Sequence, residues 1–202
     1  VRFTVTPVAN DFQEWLSYSF DQLSAKSTTL TLKWEKLSIP IKIEVDVNET
    51  VIASMEKELT GIPGFFWQGW NQIALYALTN NYNLEKASGW VEKSININKN
   101  LTNLITKSLI LESMGKSQEA ENIKKEAFAL PGVDETQVNT LGYQLMGIGK
   151  TDEALDVFEK NTVDHPDSWN VWDSWAEGLL AKGDKVKSKQ LYEKALGMAP
   201  EN

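Results

Sequence analysis

Few residues in this chain have the types and spacing that chemistry needs. His165 is the only histidine, and it stands before Pro166 between two helical patterns, with no Ser-His-Asp or metal-ligand set advertised around it. Cysteine is absent, which excludes disulfides, thiol nucleophiles and zinc–thiolate sites together. The acidic groups Asp152-Glu153 and Asp164 with Asp167 stand where helices begin, and carboxylates there suit the macrodipole. No loop alternates oxygen ligands as a calcium site does. The stretch from Gly61 to Gly69 lacks both the lysine of a phosphate loop and the spacing of a dinucleotide fingerprint. No catalytic residue, metal site or cofactor is therefore assigned, and the expected role is binding rather than catalysis.

Aromatic and charged residues narrow the binding classes. Formal net charge is −8, and the 20 basic residues are scattered, whereas phosphate recognition needs them clustered, so nucleic acid is not an expected partner. Lys182, Lys185, Lys187 and Lys189 form one local group, which reads as a solvated helix start. Eight tryptophans include Trp67 with Trp70, and Trp169 with Trp172 and Trp175. Such rings can stack on sugars, but Trp172 and Trp175 fall on core positions of the repeat described below, so packing is the preferred reading. Trp169 is expected nearer the surface, and Trp67 and Trp70 at the junction of two domains. No apolar run approaches the roughly 20 residues that cross a bilayer. Asn48-Glu49-Thr50 and Asn100-Leu101-Thr102 are sequons, meaningful only in a eukaryotic secretory route.

The elements that carry these residues change character near residue 60. From Val1 to Val47 the apolar period is two. Val1, Phe3 and Val5 predict a first strand, and Leu16, Tyr18 and Phe20 a second. Leu30, Leu32 and Trp34 predict a third, and Ile39, Ile41, Ile43, Val45 and Val47 a fourth. The breaks at Pro7 to Asp11, Asp21 to Ser27 and Lys36 to Pro40 suit an antiparallel β-meander. One apolar sheet face must be covered. With strand alternation already running at Val1, the meander is read as the C-terminal part of a larger β-sandwich. Asn48 is the expected N-cap of a connecting helix striped by Ile52, Met55 and Leu59, which ends at Gly61, Pro63 and Gly64.

Beyond that boundary the chain repeats itself. Ala154, Phe158 and Pro166 recur as Ser188, Tyr192 and Pro200, and Val138, Leu141, Gly142 and Leu145 as Trp172, Trp175, Ala176 and Leu179. Every shift is 34 residues, the tetratricopeptide period, with small residues where two helices must approach. Counting back finds Leu104, Leu111, Ala120 and Ala127. A step of 33 then reaches Leu84, Ala87 and Val91, behind a first helix with Asn71, Ala74, Leu75 and Leu78. The turns carry Gly115-Lys116, Gly149-Lys150 and Gly183-Asp184. The expected fold is thus α+β: an antiparallel β-meander over 1–60, then an all-α tetratricopeptide-like solenoid of about four helical hairpins over 61–202.

The run LTLKWEKLSIPIKIEVDV, from Leu30 to Val47, resembles the C-terminal part of the bacterial family called domain of unknown function 2911. That resemblance implies an exported protein, periplasmic or secreted, in which such a β-domain continues into helical repeats. It implies no catalytic motif.

Solenoids of this kind bind along the concave face of their first helices. The repeat register puts Gln72, Tyr76 and Asn80 there in the first hairpin, and Ile105, Leu109 and Glu112 in the second. The third contributes Asn139, Tyr143 and Met146, and the fourth Asp173, Glu177 and Leu180. None of these is Lys or Arg, so a clamp for a peptide carboxylate is not expected. The partner read from these residues is a protein or peptide that is apolar or basic rather than acidic. The alternative is a sugar-binding or enzymatic site in the β-domain, with the repeats as support.

Overall fold

The computed structural model describes residues 2–200, and the chain divides after Thr60 into two compact units. The first holds two long antiparallel strands, β1 (Val8–Asp21) and β2 (Ser27–Glu44), and a helix, α1 (Val47–Glu58). The strand expected over Val1, Phe3 and Val5 is not formed: residues 2–7 have no regular structure, and Val1 lies outside the described residues. Pro7, with its fixed φ and no N–H, stands immediately before the first ladder residue.

The third and fourth expected strands are one. The run from Lys36 to Pro40 does not break β2, because Glu35 absorbs the irregularity with a left-handed φ of 49°. On the facing strand, Ala9 to Gln13 and Gln13 to Ser17 each span four residues against two on β2, so β1 carries two bulges. Pro40 lies beyond Ser38, where the paired register with β1 stops, so its missing N–H costs that ladder nothing. Leu16, Tyr18, Phe20 and Trp34 are between 53% and 69% exposed. The N-cap of α1 is Asp46 rather than Asn48: its side chain accepts from the Glu49 N–H at 3.0 Å. An aspartate two residues earlier satisfies the same free donors at the helix start.

The second unit is helical. A 3-10 turn (Ile62–Phe65) leads into α2 (Trp67–Thr79), α3 (Leu84–Ile97), α4 (Leu101–Ser113) and α5 (Ser117–Phe128). Then follow α6 (Glu135–Gly147), α7 (Thr151–Asp164), α8 (Trp169–Lys182) and α9 (Lys185–Met198). Consecutive helices pack as four hairpins, α2/α3, α4/α5, α6/α7 and α8/α9; the first two join through α3 and α4, the last two through α7 and α8, and the second meets the third through α4 and α6. None of the described helices is long and apolar enough to cross a membrane.

Each hairpin turns by the same device. Asn81, Gly115, Gly149 and Gly183, spaced by one period, all take positive φ. The next N–H reaches back to the carbonyl five residues earlier: Tyr82 to Ala77 at 2.8 Å, and Lys116 to Leu111, Lys150 to Leu145 and Asp184 to Leu179 at 2.9 Å. This is a Schellman closure, which satisfies carbonyls the helix end would leave bare. In the first hairpin one extra residue follows. Asn83 takes φ 41° and caps α3 by accepting from the Lys86 N–H at 3.1 Å. That insertion is why the second helix of hairpin one is 33 residues from its successor, while the first helices keep the full period.

Small residues meet inside the hairpins, as the repeat requires. Ser108 donates to the Ala120 carbonyl at 2.9 Å and Ser188 to the Ala176 carbonyl at 2.8 Å, both buried. At Gly142 the neighbour is the ring of Phe158, which is fully buried and also lies against Gly178. The core runs along the stack through Ile73, Val91, Leu104, Ile110, Phe158 and Val171, all nearly inaccessible.

Candidate functional site

Three first helices, α2, α4 and α6, enclose a cavity of about 390 Å³. From α2 it is lined by Trp67, Gln68, Asn71, Gln72 and Leu75, and from α4 by Thr102, Ile105, Thr106 and Leu109. Helix α6 adds Leu141, Gln144, Leu145, Gly147 and Ile148. No lining residue is charged. Apolar walls with a few amides and hydroxyls are the usual make-up of a binding cleft. A neighbouring cavity of about 270 Å³ shares Ile105, Leu109 and Leu145, and continues to Glu112, Asp152, Glu153 and Asp156. Three of those carboxylates are ion-paired: Asp152 with Lys182 at 2.5 Å, Glu153 with Lys150 at 2.9 Å, and Asp156 with Lys124 at 3.8 Å.

The twelve groove positions fall into separate groups. Gln72, Ile105 and Leu109 line the apolar cavity, and Glu112 lines its neighbour. Tyr76 and Asn80 line neither; Asn80 caps α2, donating from Nδ2 to the Tyr76 carbonyl at 2.9 Å. Counting by the full period from the common turn, the residues equivalent to Ile105, Leu109 and Glu112 are Asn71, Leu75 and Leu78. The inserted residue follows α2, so a 33-residue step misplaces that helix by one.

Tyr143, Asp173 and Glu177 form a second group toward the C-terminal end. The Tyr143 hydroxyl donates to Glu177 Oε2 at 2.7 Å and lies 3.2 Å from Ser174 Oγ. Its ring meets Phe158 edge-on at 5.2 Å. Burial, opposed by the Ser174 hydrogen bond and reinforced by Glu177, pushes the phenol up to about 12. Burial and the Glu177 charge also raise the Asp173 carboxyl above its ordinary range. The Tyr192 phenol is raised by burial and by both acids. This end of the face holds negative charge at a cost and disfavours more of it. Asn139 and Met146 are half-buried on α6, and Leu180 stands 47% exposed on the outer side of the last hairpin.

The tryptophans of the first and last hairpins correspond to one another. Trp67 and Trp70 are three periods from Trp169 and Trp172. Trp70 Nε1 donates to the Gly64 carbonyl and Trp172 Nε1 to the Pro166 carbonyl, both at 2.9 Å. Lys93 lies over the Trp70 ring and Lys194 over the Trp172 ring, at 4.3 and 3.1 Å from the centroids. The first and fourth hairpins are thus built alike at these positions, and both outer tryptophans work locally. Trp67 lines the cavity, Trp169 is 41% exposed and Trp175 is buried. Among the described residues no group of three or more His, Asp or Glu is placed to hold a metal ion.

No family model matches the chain, and no curated protein does. The resemblance of Leu30 to Val47 to domain of unknown function 2911 therefore rests on those residues alone. Solved structures that this chain is similar to include the MamA protein, 16% identical over 75% of this chain and 82% of that one, with a TM-score of 0.39. YrrB, described as a TPR protein with an unusual peptide-binding site, is 18% identical over 77% of this chain and 79% of its own, with a TM-score of 0.37. PilF of Pseudomonas aeruginosa is 18% identical over 77% of this chain and 70% of its own, with a TM-score of 0.41.

Proposed function

We propose that this chain is a docking scaffold that holds a segment of another protein along the first helices of its hairpins. One observation carries the reading: a cavity of about 390 Å³ opens across α2, α4 and α6, and no charged residue lines it. Its occupant is an apolar side chain. Asp173 and Glu177 favour a basic residue farther along the same segment and disfavour an acidic one.

Synthetic peptides test this. Acetylated, amidated octapeptides with a central Leu, Phe or Trp are flanked by Lys or by Glu, and their dissociation constants are measured by fluorescence anisotropy. The Lys-flanked set is expected to bind about tenfold or more tightly than the Glu-flanked set. Leu75→Glu, which puts a charge into the cavity from a half-buried position, should abolish binding without loss of helicity. Asp173→Lys with Glu177→Lys should reverse the flanking preference. No binding by any peptide, or indifference to Leu75→Glu, overturns the proposal.

The same reading extends to the first unit. Leu16, Tyr18 and Phe20 on a bare two-stranded ribbon support further covering strands, since such a ribbon is marginal alone. Hydrogen exchange on the natural gene product checks this, and rapid exchange along β1 and β2 would count against a sandwich. Export is inferred from the family resemblance alone, and detection of the mature protein only in the cytoplasm would refute it.

A further inference from the structure

Helix α9 exposes four residues at 3-4-3 spacing, Val186, Lys189, Glu193 and Leu196, which places them on one stripe along its outer side. Val186 is 74% exposed and Leu196 77%. The repeat does not require this pattern. One period earlier the same places on α7 hold Asp152, Leu155, Glu159 and Thr162. There Leu155 and Thr162 are buried, and Gly178 of α8 lies close over Leu155. Among the described residues no helix stands after α9 to cover Lys189 and Leu196 in that way. Leu180 of α8 extends the bare apolar surface, and a shallow cavity of about 330 Å³ lies between it, Tyr192 and Leu196.

The order along the stripe is apolar, cationic, anionic, apolar, and both the apolar pair and the charged pair are centred on Leu191. A second α9 laid antiparallel across a twofold axis at that point makes both pairs complementary at once. Val186 then faces Leu196 of the second copy and Lys189 faces its Glu193, and the symmetry makes each contact twice. A parallel pairing would instead set Lys189 against Lys189 and Glu193 against Glu193. We propose that α9 is a homodimerisation surface, with two copies packed antiparallel through Val186, Lys189, Glu193 and Leu196. Within one chain Lys189 and Glu193 are 3.7 Å apart, and an exposed pair of that kind contributes little. Both charges are therefore available to re-pair across the axis, where four alternating charges form one network. Two other lysines of the helix are engaged elsewhere: Lys187 lies over the Trp175 ring and Lys194 over the Trp172 ring. From Val186 to Leu196 the helix rises only about 15 Å. A surface of that length falls short of a standard interface, so a dissociation constant on the order of 100 µM is expected.

Sedimentation equilibrium of the natural gene product, from about 10 µM to about 1 mM, tests this. Wild type is expected to dimerise within that range, less so as salt is raised. Lys189→Glu brings like charges together on both sides of the axis, and Glu193→Lys does the same with the opposite sign. Each alone should weaken the dimer about tenfold or more. An equimolar mixture of the two single variants should dimerise again, because every charged layer regains opposite signs. Leu196→Ser should weaken the dimer without altering its salt dependence. All of these positions are exposed, so the helical circular dichroism of each variant should match wild type. A wild-type chain that stays monomeric throughout the range overturns the proposal. Association that neither single variant weakens belongs to another surface, such as the bare β1–β2 ribbon, and overturns it equally. A mixture that stays monomeric while wild type dimerises overturns the antiparallel register.

Discussion

Gly142 on α6 and the ring of Phe158 on α7 are packed so closely that a Cβ at residue 142 would lie 2.3 Å from the nearest ring carbon. Nothing else in the second unit shows so plainly why the repeat alternates small and large residues. The ring also bears on Gly178 of α8, where a Cβ would meet it at 3.1 Å. One side chain therefore sets the spacing of two hairpins.

Gly142→Ala should destabilise the protein, although alanine is the better helix former by about 1 kcal/mol. Overpacking costs about 1–3 kcal/mol, and here the nearest neighbours are ring atoms of a fully buried side chain. Urea denaturation followed by circular dichroism measures the loss. Phe158→Leu in the same chain should recover part of it, giving a coupling well away from zero. Additive losses would show that the ring moves freely.

Ser188 and Ser108 make mirrored bonds, from the second helix to the first in hairpin four and from first to second in hairpin two. Ser188→Ala keeps the close approach and removes one buried donor. The expected cost is about 0.5–1.5 kcal/mol. Ser188→Leu should cost clearly more, because the backbone of α8 leaves no room for a branched side chain. Equal effects of the two substitutions would rule out the close approach.

The fold was legible where its signals were local. Alternation marked the strands, and glycine at 115, 149 and 183 marked three of the four turns. The first hairpin carries no such glycine: its turn is made by Asn81, which reads as an ordinary polar loop residue although it takes φ 48°. The extra residue there moved one helix and not the other, so a single period could not fit both. A 33-residue step from Ile105 and Leu109 falls on Gln72 and Tyr76, one residue past Asn71 and Leu75, and Asn80 stands two past Leu78, the equivalent of Glu112. Continuity of β2 was hidden for a similar reason: a left-handed residue at Glu35 followed by Pro40 carries the same residues as a turn. The pairs Trp67/Trp70 and Trp169/Trp172 correspond only across three periods, a distance at which no local pattern links them. The cavity itself has no signature in any one stretch, because its walls come from three helices spread over some eighty residues.

Asn81 also gives a clean substitution. Asn81→Gly removes the strain of a side chain at positive φ and should be neutral or stabilise by up to about 1 kcal/mol. Asn81→Ala retains a Cβ without the amide that tolerates this conformation, and should destabilise by about 1 kcal/mol. Thermal denaturation of the two variants tests this by their order, and an alanine variant as stable as the glycine one would show that the Schellman closure is absent from hairpin one.

Asp173 connects the stability of the last hairpins to what the scaffold is proposed to hold. Its carboxyl is raised by burial and by Glu177, so the folded chain holds that proton more tightly than the unfolded chain. The favourable contribution is complete below the unfolded value of 3.8 and is lost as pH rises through the higher folded value. Near neutrality the folded state therefore carries an ionised group it would rather have neutral. Asp173→Asn should raise the thermal midpoint at pH 7, by the few tenths to about 1 kcal/mol typical of a largely solvated charge. The gain should shrink on acidification and vanish once both states are protonated. The same substitution should weaken the Lys-flanked peptides, because it removes one of the two carboxylates that face them. A variant that is more stable and binds less well is the expected outcome of a charge kept for a partner. A stability gain with unchanged affinity would leave Glu177 as the only carboxylate of that pair to act on the ligand.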